Sequence, residues 1–152
     1  MDVFTPCIEY VEALVTSSLA EASPKPSIAI GGFSVEKPFQ VYVCEDPQNV
    51  SFTDKSTSHV TMGGSVAGLY RVEFSVMVQM QAVRKEIWEA SKLVLSWFES
   101  FSRAVANDKT LGGLCTHAAP YFSIGETTKR DRQYAHVIEG GVNITADFNP
   151  KS

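Results

Sequence analysis

The stretch Tyr70-Arg71-Val72-Glu73-Phe74-Ser75-Val76-Met77-Val78-Gln79-Met80-Gln81-Ala82 decides the fold. Tyr70, Val72, Phe74, Val76, Val78, Met80 and Ala82 are apolar at every second position, and Arg71, Glu73, Ser75, Gln79 and Gln81 fill most of the gaps. Successive side chains of an extended chain point to opposite faces, so a period of two predicts a strand with one face in a core and one in water. The period then changes. From Val83 to Asn107, the residues Val83, Ile87, Ala90, Val94, Trp97, Phe98, Phe101 and Val105 form one apolar stripe of a helix. Lys85, Glu89, Lys92, Glu99 and Arg103 lie opposite. Lys85–Glu89 and Glu99–Arg103 stand four apart, where each pair adds about 0.2–0.5 kcal/mol.

Upstream, Thr5-Pro6 reads as a helix start, with Thr5 as N-cap and Pro6 in the first helical position. Ile8, Val11, Val15, Leu19 and Ala22 follow at helical spacing until Ser23-Pro24-Lys25-Pro26 stops the helix. Two short strands are expected next. One starts at Ser27 and breaks at Gly31-Gly32. The other alternates through Phe39, Val41 and Val43, and the turn Ser34 to Pro38 joins them. Asp46 to Gly68 is rich in Ser, Thr and Gly, with Phe52 as its single aromatic and Val50, Val60, Met62 and Val66 loosely spaced around it. A structureless segment of this length is uncommon in a compact domain unless it is functional or disordered. Two readings compete: an arm that orders on a partner, or a hairpin insertion.

Downstream, Leu111-Gly112-Gly113 turns the chain, and Leu114 to Ile124 reads as a strand with a defect at Pro120, which implies an edge or a bulge. Gly125 to Arg132 reads as a polar loop carrying Lys129, Arg130 and Arg132. Tyr134, His136 and Ile138 alternate again, Gly140-Gly141 suggests a bulge, and Val142, Ile144, Ala146 and Phe148 close the strand. The expected fold is a single α+β domain over residues 1–152, with an arm at 46–68. It has a mostly antiparallel sheet of about five strands, with both amphipathic helices packed on one face. Arg71, Glu73, Gln79 and Gln81 suit the other, wet face.

The formal net charge is −4, which argues against a basic nucleic-acid binder. Three cysteines, Cys7, Cys44 and Cys115, are too few and too scattered for a disulfide framework. The opening residues lack a basic region followed by an apolar one, and no apolar run approaches the roughly 20 residues of a spanning helix. A reduced, cytoplasmic protein is expected, without membrane contact.

Little in the chain points to chemistry. Cys115-Thr116-His117 sets a thiol and an imidazole two residues apart, and His136 stands on a later strand. Zinc prefers such ligands, but no CxxC or HxxxH partner exists. A thiol nucleophile built from Cys115 and His136 needs an orienting third group that local sequence does not supply. Met62-Gly63-Gly64-Ser65-Val66-Ala67-Gly68 is glycine-rich but lacks the lysine of a P-loop, and a strand follows where a helix is required. No catalytic residue, metal or cofactor is expected. Trp97 belongs to the apolar stripe, while Trp88 lies off its centre and is a candidate for an interface. Lys129, Arg130 and Arg132 form the only basic cluster.

The order of elements and one junction resemble the tail terminator (tail-completion) proteins of long-tailed bacteriophages. The resemblance rests on the strand Tyr70 to Ala82 and the helix after it, which closes in Ala104-Val105-Ala106-Asn107-Asp108-Lys109-Thr110-Leu111-Gly112-Gly113. It continues in Tyr134-Ala135-His136-Val137 and the last strand through Phe148-Asn149-Pro150. It covers the second half of the chain well and the first half by element order. It implies a non-enzymatic virion protein of the tail, assembled in the host cytoplasm. Such proteins form a ring of identical subunits, usually a hexamer, on the head-proximal end of the tail tube. The ring stops tube polymerisation and then offers a surface to the head connector or neck protein. DNA passes through its channel without specific binding. On this resemblance the 46–68 arm, with Phe52 and Met62, is expected to meet a neighbour or the tube protein. Lys129, Arg130 and Arg132 are expected to pair with an acidic patch on a neighbour. A neck protein of similar fold is the alternative, and a small thiol enzyme using Cys115 and His136 a more distant one.

Overall fold

The computed structural model describes residues 2–54, 60–61, 64–65 and 70–148. Helix α1 spans Phe4–Ser18 and buries Cys7, Ile8, Val11 and Val15. It begins earlier than the Thr5-Pro6 pair suggested. The Thr5 N–H donates to Asp2 Oδ1 at 3.1 Å, so Asp2, and not Thr5, supplies an acceptor to the first turn, and Val3 stands at the N-cap position. Pro6 sits inside the first turn, where a backbone N–H has no helical partner to lose.

Strands β1 (Ser27–Ala29) and β2 (Gln40–Val43) follow, and they pair in parallel, with Ile28 opposite Val41. The Ser34–Pro38 turn therefore does not close a hairpin. The connecting loop is fixed by the Gln40 side chain, which is fully buried. Its Nε2 donates to Ser34 O at 2.6 Å and to Lys37 O at 2.5 Å, and its Oε1 accepts from the Ser34 N–H at 2.7 Å. Gln81, opposite Gln40 on the next strand, also reaches Lys37 O, at 3.4 Å. The loop thus covers one end of the face predicted to be wet, and Gln81 is buried there rather than solvated.

Strand β3 (Gln48–Asp54) comes next, then the short pair β4 (Val60–Thr61) and β5 (Gly64–Ser65), then β6 (Tyr70–Arg84). The segment read as an arm is a sheet strand over Gln48–Asp54. β3 pairs with residues 70–75 of β6, and β2 pairs with 78–81, so the two share one edge of β6. Most of the remaining segment, including Met62, lies outside the described residues. β6 runs through Val83 and Arg84, which pair with Ala135 and Tyr134, so helix α2 starts at Ile87 and ends at Ala106.

Strands β7 (His117–Arg130) and β8 (Gln133–Phe148) form a long antiparallel hairpin. The predicted polar loop from Gly125 is strand as far as Arg130, and only Asp131 and Arg132 turn the chain. The six-stranded sheet has the order β1-β2-β6-β8-β7, with β3 also on β6. Five strands were expected; the sixth is β3. Both helices pack on the face that carries Val72, Phe74, Val76, Val78, Met80 and Ala82, all buried. The fold is α+β, as the periodicities required.

β8 pairs with β6 without a register break through Gly140 and Gly141, so the bulge predicted there is absent from β8. It lies on β7 instead, between Phe122 and Ile124. Pro120 pairs with Val142 on β7, the last strand of the sheet, where a missing N–H is tolerated.

A polar clasp ties the helices together. The Tyr10 hydroxyl donates to Asp108 Oδ2, and the Gly112 N–H donates to Oδ1 at 3.0 Å. Tyr10 first, and Gly112 second, hold the Asp108 carboxyl below the usual carboxylate range. A depressed carboxyl contributes stability above its unfolded value and loses it as pH falls through its folded value. Tyr10→Phe is therefore expected to lower Tm at neutral pH and to flatten the acid side of the Tm–pH curve. Thermal melts from acid to neutral pH measure this, and a variant curve parallel to that of the wild type would refute the clasp.

Candidate functional site

The cysteine–histidine chemistry is not assembled. Cys115 lies in the bend before β7, and its thiol donates weakly to Lys109 O at 3.9 Å. His117 is opposite Thr145, and His136 is opposite Thr127. Positions 136 and 145 of one extended strand are about 30 Å apart, so Cys115 and His136 cannot form a nucleophile–base pair. Burial raises the Cys115 thiol, which favours the unreactive protonated form. Burial also pushes the Cys7 thiol up, to about 11, and lowers His136. The His136 Nδ1 is hydrogen-bonded to the Thr127 hydroxyl at 2.7 Å. Among the described residues no three His, Cys, Asp or Glu side chains gather as a metal site. The thiol-enzyme alternative therefore loses the pair it relied on.

The concave surfaces are shallow. One of about 430 Å³ is lined by Arg84, Glu89, Lys92, Leu93 and Ser96. Another of about 260 Å³ lies between the end of α1 and the α2 residues Leu93, Ser96, Trp97 and Ser100. Neither combines a nucleophile with a positioned base.

The expected contact residues divide. Trp88 is 71% exposed on α2, with Lys92 Nζ 5.8 Å from its ring centre, while Trp97 is buried in the core. Phe52 is exposed on β3 and meets the rings of Phe4 and Phe148 at 6.3 and 6.2 Å. It is partly packed against its own chain. Lys129 and Arg130 are on strand β7, and Arg132 is in the turn. Arg130 Nη2 donates to Gln81 Oε1 at 3.3 Å, so this arginine also braces the hairpin. Met62 is outside the described residues. The structure does not bring Phe52 near the basic cluster, because β3 pairs with residues 70–75 of β6 and the cluster lies by residue 84 and beyond.

Sequence reasoning missed the surface around β7. Phe122 and Ile124 are half exposed there, and Leu95 on α2 is 45% exposed. Phe122 packs on Phe98 of α2 at 5.6 Å, which places this side of the helix next to β7. β7 ends the sheet on one side and β1 ends it on the other. An open strand edge presents unpaired backbone N–H and C=O groups to a partner. The only sequence signal was Pro120, which marked an edge.

No family model matches this chain, and no curated protein matches it at a significant level. Among the described residues no helix is long and apolar enough to cross a membrane.

Proposed function

We propose that this chain is a structural subunit of a tail terminator ring, placed at the head-proximal end of the tail tube of a long-tailed phage. The observation that carries the reading is a single α+β layer whose sheet is open on both lateral sides, at β1 and at β7. A subunit with two different free sides joins its neighbours head to tail, and such contacts close into a ring when the rotation allows. The long strand, the helix after it and the Asn107–Gly113 junction, which suggested the family, are the elements that build this layer. Partners of the ring would be the tube protein on one face and the connector on the other. The net charge of −4 suits a channel through which DNA slides without sticking.

Deletion of the gene is expected to leave tails of uncontrolled length, seen by electron microscopy of the lysate, and supply of the intact chain in trans should restore one length. Tails of normal length beside full, unjoined heads would instead assign the protein to the neck. Normal virions would remove both readings.

A further inference from the structure

We infer that copies of this chain join by strand addition, the open edge of β7 over residues 125–127 pairing antiparallel with residues 26–28, at the start of β1, of the next copy. The inference rests on the ring reading and specifies which surfaces make the contact.

Both edges offer the required backbone groups. The Ser27 N–H donates to Phe39 O within the sheet, so its neighbour Ile28 turns its own N–H and C=O outward. In β7 the two-residue turn closes on the pair Arg130–Gln133. Alternation back along the strand directs the backbone of Gly125, Thr127 and Lys129 away from β8. The first half of β7 is guarded: the Ala118 N–H is taken by Lys109 O at 2.6 Å, Pro120 has none to give, and the bulge follows. Proline and bulges are the devices that blunt sheet edges. From Gly125 to Arg130 β7 has neither.

The two open segments also stand at the same height. Ile28 pairs with Val41, Val41 with Met80, Met80 with Ile138, and Ile138 with Gly125. This row crosses the sheet from one edge to the other. Adding the next copy through it introduces no shift along the strands, which favours a closed ring over a climbing filament. Strand directions agree as well. β1 runs parallel to β2, and the three antiparallel steps from β2 to β7 leave β7 antiparallel to β1.

A strand pair alone is too small for a stable interface, which needs about 800 Å² per partner. The helix flanks supply the remainder. On the β7 side α2 presents Leu95, three residues from the Phe98 that meets β7, with Trp88 beside it on the outer surface of the helix, both exposed. On the other side α1 turns Glu12 outward, away from the flank where Tyr10 meets Asp108. α1 carries Glu9 and Glu12 and no lysine or arginine. An apolar and aromatic flank thus meets the one from which Glu12 projects.

Light scattering of the full chain on size exclusion tests the contact. The wild type is expected to assemble beyond the monomer at about 100 µM, an ordinary range for interfaces of this size. Thr127→Pro removes one outward N–H and is expected to be monomeric with an unchanged circular dichroism spectrum. Thr127→Val keeps that N–H while losing the hydroxyl bond to His136, and should assemble as the wild type does. If Thr127→Pro does not fold, Leu95→Asp decides, with at least about tenfold weaker association expected. A wild-type monomer, folded Thr127→Pro or Leu95→Asp proteins that assemble normally, or a folded Thr127→Val protein that does not assemble, would overturn the inference. If Thr127→Pro and Leu95→Asp assemble normally while gene deletion still gives overlong tails, the contact is wrong and the terminator reading stands. If Thr127→Pro and Leu95→Asp are monomeric while deletion leaves tails unchanged, the reverse holds.

Discussion

Gly141→Ala is expected to destabilise the protein by about 3 kcal/mol or more, the upper range for forcing atoms into a packed site. A Cβ at this position would stand 2.0 Å from Val76 O and 3.1 Å from Met77 Cα. Both belong to the backbone of β6, which is held on its other edge by β2 and β3 and cannot retreat. The glycine also sits at φ +152°, where an L side chain is strained. Gly113→Ala separates the two causes. Gly113 has φ +93°, but a Cβ there would meet nothing within 4 Å, so its cost is the backbone strain alone, about 1 kcal/mol. Denaturant unfolding of both variants measures the difference. If Gly141→Ala costs no more than Gly113→Ala, β6 and β8 are not paired as described. Gly140 adds a second block on the same strand, since a Cβ there would lie 2.5 Å from Tyr121 O and 2.6 Å from the Phe98 ring.

These two glycines show what the sequence could and could not convey. Their presence signalled an irregularity, but which strand carries it depends on the neighbour. The bulge went to β7 because β8 is clamped between two partners, while β7 has a free side. β6 was legible because one of its faces is buried along its whole length, and burial of one face writes alternation into the residues. The hairpin tip was not. From Phe122 to Gln133 every residue is exposed, so no burial pattern constrains Gly125-Glu126-Thr127-Thr128-Lys129-Arg130, and a strand there reads as a polar loop. β3 was hidden for a similar reason, with every residue after Gln48 exposed. Gln81 reads as solvent-facing because local pattern cannot show that a loop from elsewhere, held by Gln40, will fold over it. The separation of Cys115 from His136 is set by strand register, which no local spacing encodes. Trp88 and Trp97, by contrast, were separable from sequence, because helical geometry alone places them on different faces.

Phe101→Ala should remove about 3–5 kcal/mol of stability, the cost of truncating a large aromatic in a packed core. Phe101 is fully buried, lies on the stripe of α2 that faces the sheet and meets Phe98 at 6.2 Å. A loss of that size approaches the whole of a typical domain's stability of about 5–15 kcal/mol, so the variant is expected to unfold at markedly lower denaturant. Trp88→Ala on the same helix should behave in the opposite way. Its ring is 71% exposed and packs against little besides Lys92, so unfolding should change by less than about 0.5 kcal/mol. Association, however, should weaken by about 2 kcal/mol, as truncation of an aromatic anchor does at an interface. One face of α2 then serves the core and its flank serves the neighbour, and the two variants read them separately. A Trp88→Ala protein that folds and assembles like the wild type would take the tryptophan out of the contact and leave the flank to Leu95. A Trp88→Ala protein that loses as much stability as Phe101→Ala would mean that α2 is rotated from the position described, with the tryptophan inside.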